Sequence, residues 1–273
     1  MNLTHPTLST YTVPMNLPAG SSATLIHISD LHTDHYGDCS DEAVALIRAQ
    51  QPDALVCTGD MIDCRRDNRG RFFFRLLDRL PDIPVILSPG NHEQRIAWAG
   101  GLAAFDAECR ARGIIQLQNG DAWCRVGGVA LHFYGYLQPF YTFTRRGKTR
   151  ARLRQDVTAA DVTAALGACP AGDPVILLAH DPAPFAAYAA WGAPITLSGH
   201  IHGGAIRLPL LGGVFSPARR FFPKYCAGDY RLGTHQLIVS RGLCIRSCPR
   251  ILNPPEVARI RLVSSSDQSG SLV

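Results

Sequence analysis

The sequence predicts one α/β layered domain, sheet in the middle and helices outside, and three observations predict it. Apolar strand-like runs alternate with helical stretches early in the chain and follow one another more closely near its end. The best of those runs each finish in a cluster of Asp, Asn and His. With 273 residues, 46% hydrophobic and 18% charged, the chain has apolar material for one sizeable core and is short for two catalytic domains.

In chain order the expected strands are Ala23–Ser29, Ala54–Thr58, Val85–Ser88, Val129–Tyr134, Val175–Ala179, Ile195–Ser198, Gln236–Ser240 and Val257–Leu262. Most are short, rich in β-branched residues and bounded by Gly, Pro or Asp, the residues that punctuate strands. The expected helices are Asp41–Gln50, Arg71–Leu80, Ala99–Arg112, Ala159–Leu166 and Pro184–Trp191. The domain is expected to span 1–263. The Ser-rich residues from Ser264 to Val273 read as a disordered tail.

Composition narrows the class of function. No stretch approaches the ~18 apolar residues of a membrane span, and Met1 to Gly20 lacks the basic cluster and apolar run of a signal peptide. A soluble, cytoplasmic protein is the expectation. Nine cysteines without a C-x-x-C pair read as reduced, mostly buried thiols, Cys244 and Cys248 included. The net charge of +5 sits partly in runs at 145–154, Arg65-Arg66 and Arg219-Arg220. Without aromatic or motif support these do not make a nucleic-acid site, and an anionic membrane surface or a polyanionic substrate suits them better.

The strand endings carry the chemistry: Asp30-Leu31-His32, Gly59-Asp60-Met61-Ile62-Asp63, Gly90-Asn91-His92-Glu93, His180-Asp181 and Gly199-His200-Ile201-His202. In an α/β sheet, ligands bind beyond the carboxyl ends of the strands, so five such endings can converge on one site. Asp30 and His32 alternate, as do His200 and His202, so an extended backbone would point both members of each pair the same way. Carboxylate, amide and imidazole donors without thiolate suit a catalytic site for Mn, Fe, Zn, Co or Mg. Glycines precede Asp60, Asn91 and His200, where the chain must turn sharply. Two such ions can activate a bridging water to hydroxide and spread the charge of an in-line displacement at phosphorus. His92 is placed to protonate the leaving oxygen or stabilise the transition state, and Asp63 to orient His92 and set its tautomer. His5, His27, His35, His132 and His235 lack such company and read as surface or core residues.

These blocks, in this order, resemble the pattern D-x-H, G-D-x-x-D, G-N-H-[DE], H, G-H-x-H of the calcineurin-like metallophosphoesterase superfamily. The resemblance implies a β-sandwich flanked by helices, four layers in αββα order. It implies two divalent cations, manganese favoured: one on Asp30, His32 and His202, a second on Asn91, His180 and His200, with Asp60 bridging. His92 would be the acid, with Asp63 beside it. The C-terminal half also resembles a bacterial branch of membrane-associated phosphodiesterases. It does so through Leu178-Ala179-His180-Asp181-Pro182, Ser198–Gly204, Ser240-Arg241-Gly242 and Asn253-Pro254-Pro255-Glu256. Ala205 and Cys244 depart from that branch, and Ile245 to Leu252 match it loosely.

Some members of the branch look like UDP-2,3-diacylglucosamine pyrophosphatases of lipid A synthesis. A lipid-linked nucleotide would suit basic runs around the apolar loop from Leu208 to Phe215. The expected function is therefore dinuclear hydrolysis of a phosphodiester or pyrophosphate bond, on a small or lipid-linked substrate, with peripheral contact to an anionic inner membrane. The competing readings are a phosphomonoesterase, protein phosphatase or nuclease of the same superfamily, and a non-enzymatic metal-binding scaffold.

Overall fold

The computed structural model describes residues 5–32, 39–64, 69–140, 156–204, 206–208, 211–215, 221–244 and 250–267. His35, Arg65-Arg66, 145–154, Ala205, Arg219-Arg220 and Cys248 lie outside the described residues or, at 145–154, wholly within an undescribed segment.

Two six-stranded sheets form the body. The first contains β1 (Thr7–Met15), β2 (Ser22–Ile28), β3 (Ala54–Cys57), β4 (Val85–Leu87), β5 (Ile115–Gln116) and the late strand β14 (Glu256–Ser264), in the order β1-β14-β2-β3-β4-β5. The second contains β6 (Gly120–Val126), β7 (Val129–Tyr136), β8 (Val175–Ala179), β9 (Ile195–Ser198), β12 (Gly228–Leu232) and β13 (His235–Val239), in the order β12-β13-β9-β8-β7-β6. A two-stranded ribbon, β10 (Arg207–Leu208) with β11 (Gly212–Gly213), stands apart. Strands β2 to β5 run parallel, as do β7, β8, β9 and β13, so each sheet contributes a row of carboxyl ends.

The period-2 alternation of strands sorts side chains into layers. Leu25, Ala54 and Val56 of the first sheet meet Leu131, Phe133, Ile176, Leu178 and Leu197 of the second in one buried cluster between the sheets. The intervening residues Ile26, Ile28, Leu55 and Cys57 face outward against α1 (Cys39–Ala49), α2 (Arg71–Leu77), α3 (Asn91–Trp98) and α4 (Ala103–Ala111). Leu177 and Ala179 face outward on the other side, against α5 (Ala159–Leu166) and α6 (Phe185–Trp191). The layer order is thus αββα. Parallel strands covered on both faces have to read as nearly continuous apolar runs, and these do.

Local chemistry fixes the helices. Thr158 and Asp161 form a reciprocal capping box at the start of α5, and Phe73 and Phe74 of α2 pack on Phe105 of α4. The expected helix at 99–112 starts late, at Ala103, because Gly100 and Gly101 interrupt it; the residues before that break form α3, which was not expected. Ser264 to Asp267, expected within the Ser-rich tail, take up regular structure. Ser264 is buried at the end of β14 with its hydroxyl donating to the Leu17 carbonyl, and a 3₁₀ turn continues to Asp267. The seven described cysteine side chains are free thiols, Cys244 buried among them. No helix among the described residues is long and apolar enough to cross a membrane.

Candidate metal centre

The carboxyl ends of β2, β3, β4, β8 and β9 meet along one edge of the sandwich, stitched together there by backbone. Asp30 N–H donates to Gly59 O at 3.0 Å, His32 N–H to Asp60 O at 3.0 Å, and Gly199 N–H to His180 O at 3.0 Å. Leu243 and Cys244 donate to the carbonyls of Ser29 and Asp30, tying in the Arg241-Gly242 turn. Across the sheets, His180 Nδ1 bonds the Thr58 carbonyl at 2.6 Å, which leaves Nε2 as the atom aimed inward.

The pairing of alternate residues is achieved, but not on extended backbone. Asp30, His32, Asp60, His200 and His202 all have positive φ, between 44° and 67°. A strand end that must turn at once cannot stay extended. Left-handed residues on either side of Leu31 and Ile201 bury those two apolar side chains while keeping their polar neighbours at the centre. Such conformations are strained for residues other than glycine and are retained where the surroundings over-determine them. Gly199 shows how tightly: a Cβ there would overlap Ser29 Oγ and Asp30 Oδ2.

Each central carboxylate divides its two oxygens. Asp30 Oδ2 accepts the His200 N–H at 2.9 Å; Oδ1 has no hydrogen-bond partner and lies 3.3 Å from His202 Nε2, 3.8 Å from His32 Nε2 and 3.9 Å from His180 Nε2. Asp60 Oδ1 accepts the His92 N–H at 2.8 Å, while Oδ2 stands 3.2 Å from His180 Nε2 on one side and 3.6 Å from His32 Nε2 on the other. His32 and His202 stack with their Nε2 atoms 3.3 Å apart. Buried Asn91 Oδ1 likewise has no hydrogen-bond partner. Donors sharing an ion about 2.1 Å away lie roughly 3 to 3.5 Å apart, which the separations of 3.2 and 3.3 Å match and those of 3.6 to 3.9 Å exceed by a few tenths of an ångström. The sets Asp30, His32, His202 and Asp60, His180, His200 each bring three donor atoms within 4.8 Å of one another.

The electrostatics ask for positive charge. Burial pushes Asp30 up to about 6, with His180 opposing and Asp60 adding to the rise. Burial pushes His32 and His200 down to about 4 and His202 well below its usual value, so these rings are neutral with lone pairs available. His180 goes the other way: against burial, Asp60 raises it to about 10. Asp60, against its own burial, is held well below the carboxylate range, chiefly by His180. The proton on His180 is what a bound cation would replace, since ligands must be deprotonated.

His92 sits half-exposed at the rim, edge-on to His32 at 4.5 Å. Its Nδ1 accepts the backbone N–H of Cys64 at 3.2 Å, so in the neutral ring the proton sits on Nε2. Asp63 Oδ1 is 3.8 Å from Nδ1, close enough to act electrostatically but beyond hydrogen-bond reach. The Cys64 N–H thus fixes the ring's tautomer, with the Asp63 carboxylate close by.

Residues without an assigned role in the sequence hold this arrangement. Buried Glu93 accepts four backbone N–H groups: Met61 and Ile62 on Oε1, Asp60 and Gly90 on Oε2. Its position three residues after Gly90, where a helix N-terminus recruits a carboxylate, was the signal. Asn253 Nδ2 donates to the carbonyls of His202 and Gly204, and Arg250 to those of Cys244, Arg241 and Gly242. The other described histidines have partners elsewhere: His5 with Glu42, His27 with Thr58, His132 with Asp121 and Asp173, His235 with the Ala193 carbonyl.

Residues 23–204, from β2 to just beyond His202, match the family model for calcineurin-like phosphoesterases. The chain belongs to this family. Membership makes the protein a hydrolase of the metallophosphoesterase type. It is similar to an uncharacterized metallophosphoesterase of Bacillus subtilis, YkuE, at 26% identity over 89% of this chain and 79% of that one. It is also similar to an uncharacterized metallophosphoesterase of Helicobacter pylori strain J99, at 27% identity over 88% of this chain and 59% of the relative. The crystal structure of a phosphopantetheinyl hydrolase from Mycobacterium tuberculosis superposes with a TM-score of 0.46 at 16% identity, covering 82% of this chain and 92% of that one.

Proposed function

We propose that this calcineurin-like phosphoesterase is a dinuclear metallohydrolase of phosphodiester or pyrophosphate bonds. The observation that carries the reading is Asp60 Oδ2, placed between His180 Nε2 and His32 Nε2 while Oδ1 is fixed by a backbone N–H. In this reading Asp30, His32 and His202 would hold one cation and Asn91, His180 and His200 the other, with Asp60 available to both. Divalent cations so held, manganese first among the candidates, supply charge neutralisation at phosphoryl oxygens and acidify water. The chain's own groups do the rest. His92, its Nδ1 accepting the Cys64 N–H, presents Nε2–H as a hydrogen bond to the departing oxygen, with the Asp63 carboxylate beside the ring. Glu93 keeps the Asp60 and Asn91 loops at fixed separation, so positioning costs little reorganisation at the moment of reaction.

For the substrate we favour a lipid-linked nucleotide diphosphate such as UDP-2,3-diacylglucosamine. The support is the resemblance of the C-terminal blocks and an apolar cavity of about 260 Å³ beside α3, lined by Pro89, Trp98, Leu102, Leu137 and Phe140. The test is hydrolysis of bis(p-nitrophenyl) phosphate, an aryl phosphomonoester, a phosphopeptide and single-stranded DNA by metal-stripped protein after adding back Mn, Mg, Zn, Fe or Co. Diester cleavage restored by a metal and lost in Asp60→Ala and His92→Ala is the expected result. Undiminished turnover in both variants would sink the reading.

A further inference from the structure

His92 belongs to two groups of metal-ligating side chains. On one side it meets His32 and Asp60 of the metal centre; on the other it meets Asp63 and Cys64, and in each group the donor atoms lie within 4.8 Å of one another. The second group contains what the centre lacks, a thiol beside an imidazole and a carboxylate. Cys64 is half-buried against the core that backs α1 to α4, and the His92 side chain is 22% exposed, so solvent reaches this rim.

The fold holds these donors in place. Asp63 and Cys64 follow Met61 and Ile62, whose N–H groups donate to Glu93 Oε1, and His92 stands between Glu93 and Gly90, whose N–H donates to Oε2. One buried carboxylate therefore sets the distance between the loop after β3 and the start of α3. His92 Nδ1 lies 3.8 Å from Asp63 Oδ1 and accepts the Cys64 N–H at 3.2 Å, so Nδ1 is the ring atom turned toward this group. Donors on a tetrahedral zinc ion, ~2.3 Å from sulfur and ~2.1 Å from nitrogen or oxygen, lie about 3.4 to 3.6 Å apart. The group then has to contract by a few tenths of an ångström between Asp63 and His92 and by at most about 1.2 Å elsewhere. Ligand type separates the two sites: oxygen and imidazole donors accept manganese or magnesium, whereas thiolate selects softer ions, and zinc outranks manganese in affinity.

We propose that Asp63, Cys64 and His92 form a third cation site, selective for thiophilic ions such as zinc or cadmium, through which such an ion inhibits the enzyme. Binding forms a sulfur–metal bond at Cys64 and releases the thiol proton to water. Nδ1 exchanges the Cys64 N–H for the ion, and the contraction draws the ring toward Cys64, away from its edge-on place 4.5 Å from His32. His92 Nε2 then no longer faces the departing oxygen, a consequence that rests on the role given to His92 in the dinuclear reading.

The experiment titrates the manganese-loaded full chain with cadmium and follows the thiolate-to-cadmium charge-transfer band in the ultraviolet. Wild type, Cys64→Ser and Cys124→Ser are compared, with melting temperature as the check that each is folded. The expected result is a band in wild type and Cys124→Ser that is smaller by one equivalent in Cys64→Ser. No band in wild type, or a full band in folded Cys64→Ser, overturns the site. Zinc is then added to the manganese-loaded proteins during hydrolysis of bis(p-nitrophenyl) phosphate, each rate taken relative to the same protein without zinc. Slowing of at least about tenfold in wild type and within about twofold in Cys64→Ser is expected when a general acid is withdrawn. Equal slowing of both overturns the inhibition, since zinc then acts at the dinuclear centre. Absence of hydrolysis before zinc is added is a failure of the dinuclear reading, and the cadmium band, read without turnover, still decides the site.

Discussion

Replacing Glu93 by Gln tests what holds the metal centre open. The carboxylate is buried and accepts two N–H groups on each oxygen. An amide has one acceptor oxygen, so in either orientation its NH₂ faces two N–H donors with nothing to accept. Two bonds to a charged acceptor are lost, each contributing about 1.5 to 3 kcal/mol, a gross loss of about 3 to 6 kcal/mol. Burial and the nearby charge of Asp60 both push the Glu93 pKa up, and the neutral amide escapes those two penalties. The net effect therefore falls toward the lower end, about 3 kcal/mol, or roughly 6 to 12 °C in melting temperature for a domain of this size. Scanning calorimetry of wild type and Glu93→Gln, metal-loaded and metal-stripped, measures it. Turnover is expected to fall too, since a shift of ~1 Å in Asp60 costs on the order of 100-fold. A melting temperature within about 2 °C of wild type in both forms would refute the reasoning, because the four N–H groups would then have another means of satisfaction.

Three further outcomes follow from the same geometry. Gly199→Ala is expected to destabilise by about 1 to 3 kcal/mol and to weaken metal binding by calorimetric titration, because the new Cβ overlaps Ser29 and Asp30; unchanged affinity would show that the turn can relax. Adding a divalent cation at about 100 times its Kd to stripped protein is expected to stabilise by about 2.7 kcal/mol, roughly 5 to 11 °C, and to do so less in Asp30→Asn; no shift would count against a preformed site. His27, buried against Thr58 Oγ1, is pushed by burial from 6.5 down to about 3. Its folded pKa is depressed, so the unfolded chain takes a proton that the folded chain refuses, and stability falls as pH drops from about 6.5 toward 3, by about 1.4 kcal/mol per unit. His27→Gln lacks that contribution, and its melting temperature should fall less steeply over the same window; parallel slopes would contradict the assignment.

How far the fold was legible in the sequence depended on burial. The eight expected strands are the eight interior ones, β14, β2, β3 and β4 of the first sheet and β13, β9, β8 and β7 of the second. The strands that escaped notice in those sheets are the four edges, β1, β5, β6 and β12, along with the small ribbon. An edge strand is half-solvated, so its apolar signal is diluted: β12 reads Gly-Asp-Tyr-Arg-Leu, and β1 carries Pro14, which the ladder tolerates at an edge. Helix α3 was hidden for a related reason, since Ile96 is its one buried aliphatic residue and its other buried side chain is Glu93. A carboxylate facing inward breaks the amphipathic pattern by which helices are recognised.

At the centre, residue identity and order were legible and conformation was not. Metal-binding residue types at strand ends can be read from spacing because parallel sheets bring those ends to one edge. The sign of φ at Asp30, His32, Asp60, His200 and His202 is decided by how two sheets meet, with each turn hydrogen-bonded to a neighbour distant in sequence, such as Asp30 to Gly59 and Gly199 to His180. Nothing local at Asp30-Leu31-His32 specifies a left-handed turn, and its residue types would be equally content in an extended one. The strain is sustained by the rest of the fold: by Glu93 between two loops, by Asn253 under the His202 turn, and by the Arg241-Gly242 segment against Asp30. The centre is thus assembled by contacts between loops far apart in sequence, and it should loosen as a unit when any one of those supports is removed, rather than lose its candidate ligands one at a time.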